Sequence, residues 1–244
     1  IATRLVTGYY VSFEAPSRLS IALCLTRAVA PKAELLADLE SKAEWPAQGK
    51  PRSIHVDNGS DFQSRVFKGA CAEWGIDLRY RPPGSPHFGG HIERLIGTMM
   101  GAVHLLPGTT QSSVAAKGSY DAEAMATMTL SEFDSWFALE ICRYNNSIHS
   151  SLGCTPVAKW EALSGEMAGD IPFDMEAFRV SFLPSELRQV RRDGIHLFDL
   201  RYWSDALAGH VGRKDGKVVV RYDPRDLSVI WVELDGGRGI EARY

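Results

Sequence analysis

Ser53-Ile54-His55-Val56-Asp57-Asn58-Gly59 is a short alternating run that ends in an acid and a turn. Ile54 and Val56 share one face and His55 and Asp57 the other, because successive strand side chains point to opposite sides. Asn58-Gly59 closes the strand. A second acid, Glu93, follows with 35 residues between the two, after Pro82-Pro83-Gly84-Ser85-Pro86-His87-Phe88-Gly89-Gly90. Ile92, Leu95, Ile96, Met99 and Val103 recur at helical spacing around it, so Glu93 is placed near the start of a helix. A carboxylate at a strand tip and one on a helix can meet in space.

The flanks read as alternating strands and helices. Leu5, Thr7, Tyr9, Val11 and Phe13 share one parity and predict a strand. Ile21, Cys24, Leu25, Ala28 and Val29 predict a helix, and residues 33–39 continue as helix. Val66 to Trp74 reads as a helix stopped by Gly75, and Asp77 to Arg81 as a strand ended by Pro82-Pro83. Thr129-Leu130-Ser131-Glu132 is a capping box before a helix carrying Phe133, Trp136, Phe137, Ile141 and Tyr144. A short helical piece surrounds Trp160. This alternation over residues 1–164 predicts an α/β layer domain. Residues 165–187, with Gly165, Gly169, Pro172 and Pro184, read as a linker. Residues 188–244 hold only short strands, Ile195–Leu200, Val211–Arg213, Val218–Tyr222 and Val229–Leu234, with a tight-turn signal at Asp215-Gly216. They predict a small β-barrel.

The 244 residues are 45% hydrophobic, enough for a full core. No apolar run reaches the roughly 18–20 residues of a membrane helix, so no membrane partner is expected. Cys24, Cys71, Cys142 and Cys154 form no C-x-x-C pair. They read as reduced core residues of a cytoplasmic protein. The net charge of −3 does not announce a nucleic-acid binder. Residues 179–225, however, hold ten Lys/Arg against six acids. Arg188, Arg191, Arg192 and Lys214 are the candidates there for phosphate contacts, which position DNA without reading bases; a solvated surface is the plainer alternative.

Phosphodiester transfer needs an activated oxygen nucleophile, in-line geometry and neutralised phosphoryl charge, which two Mg²⁺ ions about 3.5–4 Å apart supply. Such ions take hard oxygen ligands and retain waters. Taken singly, Asp-Asn-Gly is also an ordinary turn, and a Glu at a helix start is favourable by electrostatics alone. Together the two stretches are more specific. His55-Val56-Asp57-Asn58-Gly59-Ser60-Asp61-Phe62 and Arg81 to Arg94 resemble the second- and third-acid motifs of the DDE transposases and retroviral integrases, and the gap of 35 resembles their integrase-like branch. Val103 to Thr110, Tyr144-Asn145-Asn146-Ser147-Ile148-His149, Leu152 to Pro156 with Trp160, and Gly194-Ile195-His196 with Arg221-Tyr222-Asp223-Pro224 resemble bacterial transposases related to Mu transposase and TniA.

The resemblance implies an RNase H-like (integrase) mixed sheet flanked by helices, its first strand truncated, plus the small C-terminal barrel. It implies that Asp57 and Glu93 bind catalytic Mg²⁺ or Mn²⁺. The implied activity is 3′-end hydrolysis and strand transfer in DNA transposition. The implied partners are transposon-end and target DNA, further copies of the chain on that DNA, and an AAA+ ATPase target selector. One departure is large. The family's first acid precedes Thr-Arg by three positions, which falls just upstream of Ile1. The chain, which does not begin with Met, is therefore expected to be a piece of a longer or processed product and inactive as it stands. A non-catalytic DNA-binding or assembly module, or an RNase H-type nuclease, are the alternatives. Arg94 is a candidate phosphate contact or a surface ion pair. His55 is read as packing, and His87 and His91 as parts of a mobile loop. Asn145 and His149 are read as one helix face of unassigned role.

Overall fold

The computed structural model describes residues 2–82, 89–109, 121, 125–167, 170–172, 174–212, 216–234 and 238–244, with the side chains of 164–167 and 238 left aside. The chain divides into two compact units. One comprises Ile1–Phe13, Arg27–Lys50 and Tyr80–Ile171, the other Glu14–Thr26, Pro51–Arg79 and Pro172–Tyr244. The helices are α1 (Arg18–Val29), α2 (Ala33–Asp38), α3 (Arg65–Glu73), α4 (Gly90–Val103), α5 (Leu130–Asn146), α6 (Pro156–Met167) and α7 (Met175–Phe182). The strands are β1 (Ser53–Val56), β2 (Asp77–Tyr80), β3 (Ser185–Gln189), β4 (Ile195–Leu197), β5 (Leu200–Tyr202), β6 (Lys217–Asp223), β7 (Asp226–Leu234) and β8 (Arg238–Arg243). The result is mixed α/β.

The first unit is built on α5. Its capping box forms as the sequence predicts: Glu132 N–H donates to Thr129 Oγ1 (3.2 Å) and Thr129 N–H to Glu132 Oε2 (2.8 Å). The helix buries Ala138, Ile141 and Cys142 with Tyr9, Trp45, Ala47 and Met99. Phe137 packs edge-on to Tyr9 at 5.3 Å, and Arg27 reaches both carboxylate oxygens of Asp134 at 3.0 and 3.1 Å. On α4 only Met99 is buried, with Leu95 packed against the core. Ile92 and Ile96 stay 51% and 54% exposed, so the expected single apolar stripe is wider than the face the core accepts.

The predicted first strand is not there: residues 5–13 join no ladder among the described residues. Side chains occupy the place of a neighbouring strand. Asn145, fully buried, accepts from Val6 N–H (3.0 Å) and donates to Val6 C=O (3.1 Å). Trp45 Nε1 donates to the same carbonyl at 2.8 Å. Buried backbone groups must be paired by something, and here one amide pairs both.

In the second unit β1 and β2 form a two-stranded sheet joined through α3, and Gly75 ends α3 with φ 65°. The stretch expected as a linker carries α7, capped by Asp174, whose Oδ1 accepts from Ala177 N–H at 2.8 Å. Phe178 and Phe182 of α7 are buried. Trp74 meets Phe178 at 5.1 Å and Phe67 meets Phe182 at 5.8 Å.

The remaining strands form an antiparallel sheet in the order β3-β6-β7-β8 and a separate β4-β5 hairpin. Val190, Ile195, Leu197, Tyr202, Leu207, Val218, Val220, Ile230, Val232 and Ala242 make its core, so the alternation read in β6 and β7 points inward as expected. Among the described residues the ladders leave the sheet open, and the hairpin meets β8 at the Trp203–Arg243 bridge, so they do not close a barrel. The strand expected over Ile195–Leu200 is instead two strands, because Phe198 and Asp199 both take positive φ (52° and 62°), the requirement of a two-residue hairpin turn. Val211 and Gly212 form a turn after the 3₁₀ segment Asp205–His210 rather than a strand. Arg213 and Asp215 lie outside the described residues.

No helix among the described residues is long and apolar enough to cross a membrane. All four cysteines are free, and burial pushes the Cys71 thiol up to about 11.

Candidate active site

Asp57 follows β1 directly, exposed, on the face opposite buried Val56. Its Oδ1 accepts from Gly59 N–H at 2.9 Å, an Asx turn that fixes the carboxylate over the loop. A Cβ on Gly59 would stand 2.9 Å from that same oxygen. His55 is exposed on β1, so the packing role expected of it is not found.

Glu93 lies in the first turn of α4, exposed. Gly89 repeats the arrangement seen at Gly59: a Cβ there would meet Glu93 Oε1 at 2.9 Å and Arg81 Nη1 at 2.6 Å. Glycine thus leaves clear space beside each acid. Beside Glu93, a broad groove is lined by Gly90, Arg94, Gly97 and Thr98. Arg94 is fastened through Nε to Gly90 C=O and through Nη2 to His91 Nδ1, both at 2.9 Å. A guanidinium only donates, so His91 Nδ1 accepts and its proton sits on Nε2. Burial first, then the charges of Arg4 and Arg94, hold His91 below its ordinary value.

Asp57 belongs to the second unit and Glu93 to the first. Among the described residues no group of three or more His, Cys, Asp or Glu side chains is placed to hold a metal ion. The two acids offer the hard, exposed oxygens that Mg²⁺ favours, with room kept beside each, but fewer than the roughly three carboxylates of a two-ion site. Residues 83–88 of the third-acid motif, His87 among them, lie outside the described residues, as does Lys214.

The basic candidates of the C-terminal region are scattered. Arg188 on β3 pairs with Glu186 and donates to Leu187 C=O at 3.1 Å. Arg191 and Arg192 are exposed at the β3–β4 turn. Asp223, within the quoted Arg221-Tyr222-Asp223-Pro224 stretch, is structural. It is 4% exposed and gathers Arg225 (2.7 and 3.0 Å) and Arg179 (3.1 Å). Burial pushes its carboxyl up, but the bonds from Arg225 outweigh that and hold it low.

Asn145 and His149 do not share a helix face, since α5 ends at Asn146. Asn145 holds Val6, and His149 caps the following loop by accepting from Ser151 N–H at Nδ1 (3.2 Å). Arg4, the arginine of the Thr-Arg pair, carries no site signal in the sequence. The structure gives it φ 58° and buries its Nε and Nη1 without a partner. Nothing in the periodicity of residues 1–13 marks that.

Residues 1–108 match the family described as TnsB C-terminal domain, and residues 179–240 the family described as Mu transposase, C-terminal. The transposase for transposon Tn552 of Staphylococcus aureus is 28% identical over 232 residues, covering 94% of this chain and 44% of that protein. The transposon Tn7 transposition protein TnsB of Escherichia coli is 23% identical over 219 residues, covering 83% and 31%. The chain thus spans under half the length of these curated relatives. A chain in the structure of the simian T-cell lymphotropic virus intasome in complex with PP2A regulatory subunit B56 gamma has a TM-score of 0.35 at 13% identity, covering 94% of this chain and 63% of that one. A score of that size does not establish a shared fold. Both matched segments and both curated relatives place the similarity of this chain among the transposases.

Proposed function

We propose that this chain is the catalytic-core and C-terminal part of a DDE transposase, acting in metal-dependent 3′-end hydrolysis and strand transfer. One observation carries the reading. Asp57 and Glu93, in the spacing of the acid motifs, are both exposed carboxylates with a glycine clearing space beside them, inside the segment similar to TnsB. Asp57 is presented by the end of β1 and oriented by Gly59 N–H; Glu93 is presented by the first turn of α4. Mg²⁺ or Mn²⁺, when bound, would neutralise phosphoryl charge and activate the attacking oxygen. The same reading calls for one further carboxylate beside these two. The RNase H-like core, DNA ends and target as substrates, further copies on DNA and an AAA+ partner belong to the same reading.

The test uses the chain with its natural upstream segment and DNA carrying the element's own ends. Joined products are followed on gels with Mg²⁺ and with EDTA. Asp57→Asn and Glu93→Gln should each cut joining on the order of a thousandfold, about 4 kcal/mol of barrier, and EDTA should abolish it. Full joining by Asp57→Asn would sink the proposal; cleavage without joining would indicate a nuclease of RNase H type instead.

A further inference from the structure

A second polar cavity, of about 210 Å³, lies wholly within the first unit and is lined by Arg4, His91, Arg94, Tyr144, His149 and Ser151, among others. At about 30 Å³ per water it has room for several waters or one phosphate group. Its wall is rich in donors. Arg4 Nε and Nη1 are buried with no hydrogen-bond partner, and such groups in a folded protein call for an explanation. His91 and His149 both spend Nδ1 as an acceptor, to Arg94 and to Ser151 N–H respectively. Each ring therefore carries its proton on Nε2 as a donor. Among the described residues of the lining there are two guanidiniums and no carboxylate.

Left-handed backbone at Arg4, costly for a side-chain-bearing residue, is what this segment adopts where Nε and Nη1 of the guanidinium are buried. Strain of that kind, unmet guanidinium donors and a cationic wall without an acid all fit one ligand chemistry, a tetrahedral oxyanion accepting several hydrogen bonds at once.

We propose that this cavity binds a phosphate oxyanion through Arg4, with Arg94, and that the DNA backbone supplies it. The DNA source rests on the transposase reading above; the oxyanion site does not. The experiment has two arms. Duplex DNA binding by fluorescence anisotropy is measured across a salt series for the full chain, Arg4→Gln, Arg4→Lys and Arg94→Gln. Thermal unfolding is measured in sodium phosphate against sodium chloride at equal ionic strength.

If a backbone phosphodiester sits in the cavity, Arg4→Gln and Arg94→Gln each lower the log–log salt slope by about 0.9, the contribution of one contact. Arg4→Lys then keeps most of it. If the slopes stay at the wild-type value but orthophosphate raises the wild-type midpoint and not that of the glutamine variants, the oxyanion site stands and DNA as its source falls. If neither slope nor phosphate-specific midpoint changes, the cavity merely holds water and the proposal is overturned. Arg94 is exposed and its variant carries the test should Arg4→Gln fail to fold. Neither arm requires metal or joining, so this proposal and the catalytic one fail separately.

Discussion

Asn145 and Lys32 show how single polar side chains are committed in the first unit. Asn145 satisfies both backbone groups of Val6 from a fully buried position. Asn145→Ala leaves Val6 N–H unpaired and opens a cavity, so it should cost about 3 kcal/mol in urea unfolding; a loss under about 0.5 kcal/mol, the scale of a neutral surface change, would refute that role. Lys32, 3% exposed, donates to the carbonyls of Ala28 (3.2 Å), Ala30 (2.6 Å) and Ala47 (2.8 Å). Burial, with a smaller contribution from Arg27, pushes it down from 10.5 to about 8. Between those values the unfolded chain binds more protons than the folded one, so this residue makes stability rise with pH there. Compared with Lys32→Met, the wild type should gain about 2–3 kcal/mol between pH 8 and pH 10.5. A difference between the two proteins that stays flat across that window would show the ammonium is not penalised. Neither role was legible beforehand. The sequence assigns Asn145 no role and marks nothing at Lys32; only the fold puts carbonyls around them.

Elements were legible where a local signal was complete. The capping box before α5, Gly75 after α3 and the alternation in β6 and β7 all formed, because each needs only neighbouring residues. Thr129→Ala should cost about 1 kcal/mol, measured by thermal or urea unfolding, and an unchanged midpoint would mean that α5 is fixed by its packing alone. Glu132, the other half of the box, is held low by its bonds from Thr129. Its contribution is present above the ordinary carboxylate value and fades as pH falls through the lowered one. Elements failed where tertiary pairing decides. The period-two run of residues 5–13 found side chains rather than a strand beside it, and Ile195–Leu200 bent at Phe198-Asp199. β3, with Leu187 61% exposed, had no clean alternation to announce it.

For the molecule as a whole, the pattern of strands and helices foretold a mixed α/β chain followed by a strand-rich end. The place of each candidate acid, a strand tip and a helix's first turn, followed from periodicity alone. The glycines that keep space beside them did not, because clearance is a property of folded backbone. Both compact units draw on three separated stretches of chain.

That interleaving has a consequence for synthesis. The amide that holds Val6 comes from a residue 139 positions later. Chains leave the ribosome from the N-terminus, and joining ends so far apart carries an entropic cost that slows the joining step. The opening segment, Arg4 included, therefore emerges early yet can take up its final geometry only after α5 has been made.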